Sequence, residues 1–238
     1  MDELLDAFAW LADRDNWRGN NGVLNLLLEH LWLTAVSVAI GCAIAIPVGL
    51  WLGHIGRGGT LAINISNIGR AVPVFAALVM LFLLLGAARR TEATVIALVL
   101  FAIPPILTNT YVGMRGVDND AVDAARGMGM SGVQVLRRVE LPLAVPLVMN
   151  GVRLAAVQVV ATATIAALVA AGGLGRIITA GFAVQDYARM IAGAILVAAL
   201  ALAVEGALEL LQRRVDPLRR ARRGNVRQRA DVVAVTEP

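Results

Sequence analysis

The chain has 238 residues, of which 58% are hydrophobic, 16% charged and 5% aromatic, and its mean hydropathy is +0.74. A charged fraction well under the roughly 25% of soluble domains, with room for about five spans of some 20 residues, describes a one-domain polytopic membrane chain and excludes a large soluble catalytic domain. All 21 basic residues are Arg, so a Walker-type phosphate loop and Schiff-base chemistry, both of which need Lys, are excluded too.

The N-terminal stretch MDELLDAFAWLADRDNW is acidic, unlike the basic start of a secretory signal. Leu4, Leu5, Phe8 and Leu11 fall on one helical face, which predicts a short interfacial helix, the alternative being a loose arm. Five apolar stretches follow, at about residues 23–52, 61–85, 93–112, 141–171 and 187–211. Each is long enough, at about 1.5 Å per helical residue, to reach across about 30 Å of hydrocarbon. Gly69 and Pro73 divide the second stretch, so it reads as two helical pieces. The organisation is therefore a 1–22 arm, a 23–212 membrane domain and a 213–238 tail.

Charge sets the predicted orientation. The segment 213–229 holds eight Arg against one Asp, a net +7, so the remainder of the +4 chain sums to −3. With the C-terminus inside, inner loops and tail hold 13 Arg, outer segments hold six, and Arg70 and Arg153 lie within spans. The asymmetry predicts an extracytoplasmic N-terminus and a cytoplasmic C-terminus, with Arg89 and Arg90 as a local exception. The tail reads as a contact for anionic lipid. It carries no interleaved aromatics for base stacking, so nucleic acid is not an expected partner.

Residues 113–140 between the third and fourth stretches are too charged to span. Asp120 is placed to cap a short helix through Ala125, Gly127 and Gly129 break it, and Ser131 with Gln134 forms a capping box for a second helix. Pro142 sits near the start of the fourth span, where its missing N–H costs little. Val122, Ala125, Val133 and Leu136 offer apolar contacts, and Asp123, Arg126, Arg137 and Arg138 offer charge.

This loop contains Asp123-Ala124-Ala125, three residues, Gly129, nine residues, Val139, one residue, then Leu141-Pro142. It resembles the Glu-Ala-Ala, Gly, Ile-x-Leu-Pro pattern of permease subunits of binding-protein-dependent ABC importers, with Asp for Glu and Val for Ile. The segments starting at Glu29, Gly69, Ile103 and Ala161 are similar to the osmoprotectant branch, which takes glycine betaine, choline and carnitine; related permeases take amino acids, sulfonates or phosphonates. The resemblance implies an all-α permease that binds no cofactor. It further implies ATP and Mg on partner cytoplasmic ATPase subunits, a second permease copy or sister permease, a separate extracytoplasmic substrate-binding protein, and a bacterial inner-membrane location. The seven motif residues named above are the implied ATPase-coupling loop. Candidates for the translocation path or a gate are Arg70, Pro73, Asn109, Tyr111, Arg153, Thr162 and Thr164.

Other residues have plainer readings. Arg153, about 18 Å into its span at 1.5 Å per residue, requires a partner or water, and Glu205 is the expected neutralising group. Glu209 and Arg213 form an i,i+4 pair. His30 is an interfacial polar residue, and Gly172-Gly173-Leu174-Gly175 is a tight turn rather than a nucleotide loop. Cys42, His30 and His54 do not make a metal cluster. Aromatic residues are scattered, so no cage for a quaternary ammonium is visible. An ion-coupled carrier, which tends to show inverted repeats and mid-membrane acids, and a membrane enzyme, which needs a nucleophile and base, are the competing classes.

Overall fold

The structure, a computed structural model, describes residues 2–169 and 171–215. Most of the basic tail therefore lies outside the described residues. Helices account for nearly all of the described chain: α1 (Asp2–Ala12), α2 (Val23–Ile55), α3 (Gly59–Ala71), α4 (Val74–Leu85), α5 (Arg90–Arg115), α6 (Asn119–Gly127), α7 (Gly132–Val135), α8 (Leu141–Ala166), α9 (Gly175–Val184) and α10 (Tyr187–Val215). No strand occurs among the described residues.

Among the described residues four segments are long and apolar enough to cross a membrane: Val23–Ile55, Ala87–Arg115, Gly132–Val169 and Tyr187–Val215. The remaining apolar stretch is two helices joined at Val72-Pro73, as Pro73 suggests. Pro73 lacks the N–H that a helix interior uses and drives the preceding residue into extended backbone, and Val72 has ψ 122°. The two pieces together still accompany α5 along its length. Gly59 lies against the Tyr111 ring near the end of α5, Ser66 donates to the Pro104 carbonyl at 3.1 Å, and Leu78 packs with Ala97 and with Ala166 and Ala171 beyond the middle.

The core forms where α2 and α8 close on α5. Along α2, Ser37, Gly41, Ala45, Gly49 and Gly53 recur every fourth residue and all are buried. A spacing of four holds one face of a helix, and small residues there let two backbones approach. At Gly49 a Cβ would stand 2.7 Å from Thr110 Cβ, and at Gly53 2.3 Å from Met114 Cβ. Gly151 of α8 meets α5 the same way, 2.7 Å from Asn109 Cβ. Around these contacts Leu98, Ala102, Ile106, Ala155, Val159 and Ala163 are sealed from solvent. Large residues on other faces are open, among them Trp51, Leu83, Leu84 and Leu202, as suits helices whose surroundings are lipid rather than water.

The acidic N-terminal stretch is a helix, and its small face docks. Ala7 is fully buried against the bundle, while Leu4, Leu5 and Phe8 are more than half exposed. Trp10 and Trp17 join the cluster of Val23, Leu26, Leu200 and Ile177, and the Asn16 and Trp17 side chains tie off the segment between helices: Asn16 Nδ2 donates to the Trp10 carbonyl and Trp17 Nε1 to the Leu11 carbonyl.

Candidate functional site

The motif-bearing loop lies where α2 and α5 end and α8 begins. The cap of α6 is Asp118, whose carboxylate accepts the Asp120 N–H at 2.9 Å. The helix starts two residues earlier than the Asp120 reading places it, because Asp118, with ψ 123°, is the non-helical cap residue and Asp120 already lies in the first turn. It runs on through Gly127. Gly129 then adopts φ +80°, a left-handed conformation that costs an L side chain about 1–2 kcal/mol. Ser131 and Gln134 form the predicted capping box, with Ser131 N–H donating to Gln134 Oε1 at 2.8 Å.

From Ser131 the chain does not stop before the fourth span. A π-helical turn, Leu136–Glu140, joins α7 to α8 without a break. Pro142 has no N–H to give a residue four back, and its ring crowds that carbonyl. The widened turn resolves the conflict: Leu141 N–H bonds the Leu136 carbonyl, five residues back.

The four apolar loop residues divide into two sets. Val122 and Ala125 are buried with Val117 and Val135, and Leu136 packs on Met114, Ala144 and Val148. These hold the loop to the bundle. Val133 and Met128 are 61% and 72% exposed, and Asp123, Ala124, Arg126 and Gly129 are exposed too. Asp123 and Arg126 are a loose i,i+3 pair at 3.9 Å, both open to solvent. The exposed residues of the loop are therefore both apolar and charged. Beside them a polar cavity of about 360 Å³ is lined by His54, Arg115, Asn119, Asp123, Arg126 and Glu140.

Midway along the bundle, α5 and α8 frame a second cavity of about 350 Å³. Pro104 and Pro105 interrupt the α5 ladder here. The Asn109 amide donates to the Pro105 carbonyl at 2.8 Å, and its oxygen accepts from Asn150 at 3.2 Å. Thr108 and Gln158 complete the polar lining, opposite Leu154, Val157 and Ala161. Ser66 bonds Thr108 across to α3, which also presents Asn64 and Asn67 on its exposed side. Amides at this depth are costly against lipid and mark an interior or wet face.

The path candidates do not converge on one place. Asn109 lines the α5–α8 cavity. Pro73 caps α4 at the break, beside an apolar cleft of about 370 Å³ between Val72, Phe101 and Pro104. Tyr111 packs over Gly59 at the loop end. Thr162 donates to its own helix at the Gln158 carbonyl, 2.7 Å away, and Thr164 abuts α9 near the far end. Arg153 turns toward α10, where Nε meets Glu205 Oε1 at 3.0 Å; Arg213 pairs with Glu209. Arg70 sits in the last turn of α3, and its side chain lies outside the described residues. Sequence reasoning missed Asn150, Gln158 and Thr108, although polar residues in otherwise apolar spans were the available signal.

The end opposite the loop is tied by α2. Glu29 accepts the Gly173 N–H at 3.0 Å. His30 is fully buried rather than interfacial: its Nδ1 accepts the Leu174 N–H at 3.2 Å, which leaves Nε2–H to donate to the Val160 carbonyl at 3.0 Å. The Gly172-Gly173-Leu174-Gly175 segment is a turn, with Gly173 at φ +94°. Beside it Glu29, Trp32, Arg90, Thr91 and Arg176 rim a cavity of about 410 Å³.

A bundle with four membrane-length helices, a broken helical pair and a motif-bearing helical hairpin at one end is the build of a membrane transport subunit. The chain belongs to the family described as binding-protein-dependent transport system inner membrane component, whose pattern matches residues 45–217. It is an inner-membrane permease subunit and not an enzyme; the ATPase is a separate subunit. It is 38% identical to the carnitine transport permease protein OpuCB of Listeria monocytogenes, over 84% of this chain and 93% of that one. It is 33% identical to the glycine betaine/carnitine/choline transport system permease protein OpuCB of Bacillus subtilis (strain 168), over 79% and 86%. Among solved structures, the inward-facing MetNI methionine ABC transporter matches with TM-score 0.69 at 26% identity, over 79% of this chain and 93% of that one.

Proposed function

We propose that this permease carries quaternary-ammonium osmoprotectants such as glycine betaine, carnitine or choline into the cell. The observation that supports the substrate class is the 38% identity to a carnitine permease over most of both chains, repeated at 33% with a glycine betaine/carnitine/choline permease. The fold alone is shared with a methionine transporter, which makes an amino acid the competing cargo.

In this reading the N-terminus is extracytoplasmic and the 113–140 loop cytoplasmic, which agrees with the Arg asymmetry. Asp123, Ala124, Gly129 and the exposed Met128 and Val133 meet an ATPase subunit. Val139, Leu141 and Pro142 act differently, by joining that contact to α8 through the π turn. A second copy or a sister permease packs against the amide-bearing side of α3, α5 and α8, and the path runs between the two subunits. Asn64, Asn67, Asn109, Asn150 and Gln158 then give solute and water polar partners without a fixed charge. Neutral amides suit a cargo that is cationic or zwitterionic, because an unpaired Arg there would repel the ammonium. Pairing Arg153 with Glu205 keeps that cation out of the path. A partner binding protein supplies tight, aromatic recognition outside the membrane.

The test is uptake by proteoliposomes that hold the permease with its ATPase and binding protein. ATP-dependent accumulation of labelled glycine betaine, carnitine or choline, not competed by methionine, is the expected result. Uptake of amino acids in place of all three replaces the substrate reading.

A further inference from the structure

We infer that His54 and Glu140 form a positioning link that makes the end of α2 and the start of α8 move as one body when the loop is displaced. His54 is in the last turn of α2, and its Nδ1 lies 2.5 Å from Glu140 Oε2. The residues are 86 apart in sequence. Glu140 occupies the unspecified position between Val139 and Leu141, so the motif resemblance gives it no role. Its side chain is nevertheless 8% exposed, at the last residue of the π turn.

A carboxylate placed there by chance would be expensive. An acidic side chain at a membrane-proximal helix junction gains most by reaching water, and Arg137 and Arg138 beside it do reach water. Glu140 instead turns inward to an imidazole. His54 also closes on the loop, since a Cβ on Gly132 would lie 3.5 Å from its Nε2. The other groups around the pair are Arg115 from α5 and Asn119, Asp123 and Arg126 from α6. One side chain of α2 thus bonds the last residue of the π turn and stands beside the first residue of α7.

The consequence is mechanical. A π turn has longer, poorer hydrogen bonding than an α turn and is a place where a helix bends. If only α8 received the push from the loop, the softness of that turn would absorb it. The hydrogen bond that His54 Nδ1–H of α2 donates to the Glu140 carboxylate constrains the junction from the side. α2 lies along α5 and reaches the opposite end of the bundle, where Glu29 and His30 hold the turn before α9. Displacement of the loop would then reach the far end by two helices held in step.

The inference rests on the proposed transport function, and its test separates the two. His54→Ala, Glu140→Ala and the double variant His54→Leu/Glu140→Leu are assembled with the ATPase and binding protein in proteoliposomes. The Leu pair strands no buried charge, so it keeps the fold testable. Two quantities are read: glycine betaine transported per ATP hydrolysed, and the ATP-driven signal of a fluorophore at Val184→Cys at the far end of α9 in a Cys42→Ala background. We expect ATP hydrolysis within about twofold of the parent but solute per ATP and far-end signal each reduced about tenfold. The double variant should be no worse than either single, as one shared link requires. Glu140→Gln, which keeps an acceptor, should recover most of both readouts. Absence of uptake by the parent defeats the substrate reading alone, because the far-end signal needs no transported solute. Unchanged solute per ATP and signal in the Leu pair, or losses that add across the two positions, overturn the link.

Discussion

Gly129 tests the loop's proposed role with little risk to the fold. It holds φ +80°, and a Cβ there meets nothing within 4 Å in the chain. A Gly129→Asp substitution therefore carries only a conformational cost of about 1–2 kcal/mol, which the membrane bundle tolerates. It also places bulk and negative charge on the exposed side of the loop. The expected outcome is normal insertion with loss of substrate-stimulated ATP hydrolysis in the reconstituted complex; wild-type stimulation would remove Gly129 from the docking surface. Arg153 makes the opposite case. Arg153→Ala leaves Glu205 without its partner at a half-buried depth, at a cost of about 1–3 kcal/mol, between the values for exposed and buried pairs. Thermal unfolding in detergent should show a lowered Tm, with partial recovery when Glu205→Gln is added. The loop motif and the Arg153–Glu205 pair were legible from spacing and from the need to neutralise charge. The Asp118 cap was not, because Asp118 and Asp120 offer the same chemistry and only the backbone distinguishes them. His54 with Glu140, and Glu29 with Gly173, join positions 86 and 144 apart, and local periodicity carries no information about such pairs.

Among the elements, α2 depends on its small face. Gly49→Val would put atoms within 3 Å of the Thr110 side chain on α5. Overpacking of this kind costs about 1–3 kcal/mol, since neither helix can retreat without opening its other contacts. A reduced yield of folded protein and a lower Tm are expected, with Gly206→Val, whose Cβ meets nothing, as the control. The stripe at 37, 41, 45, 49 and 53 was present in the sequence, yet the stretch is apolar on all sides, so hydropathy marks its length and not its packing face. The break at Pro73 was legible because proline acts through local geometry. The orientation is tested at the loop. A cysteine at Val133, exposed and outside the cap, in the Cys42→Ala background should react with a membrane-impermeant reagent only after the membrane is opened. Labelling of intact cells from outside would reverse the assignment.

For the whole molecule, the distribution of chemistry suggests a division of labour. The described cavities between α5 and α8 offer amides and aliphatic side chains and no cluster of aromatic rings. A conduit must release what enters it, so strong retention would slow transport. Calorimetry on the purified permease should find glycine betaine or choline binding in about the millimolar range or weaker, while a cognate binding protein is far tighter. Micromolar binding by the permease alone, lost on substituting Asn109 or Gln158, would place recognition inside the membrane. The continuity from Gly132 to Val169 has a further consequence. At 1.5 Å per residue these 38 residues make a rod about 57 Å long. If the loop meets an ATPase as proposed, it is one arm of a lever whose other arm ends at the opposite end of the bundle. With a fulcrum near its middle, where Gly151 lets it rest closely on α5, a tilt of about 10° sweeps each tip through about 5 Å. That stroke is comparable to the width of a small solute, so modest rocking of this helix, with its π turn braced against α2, would open one mouth while narrowing the other.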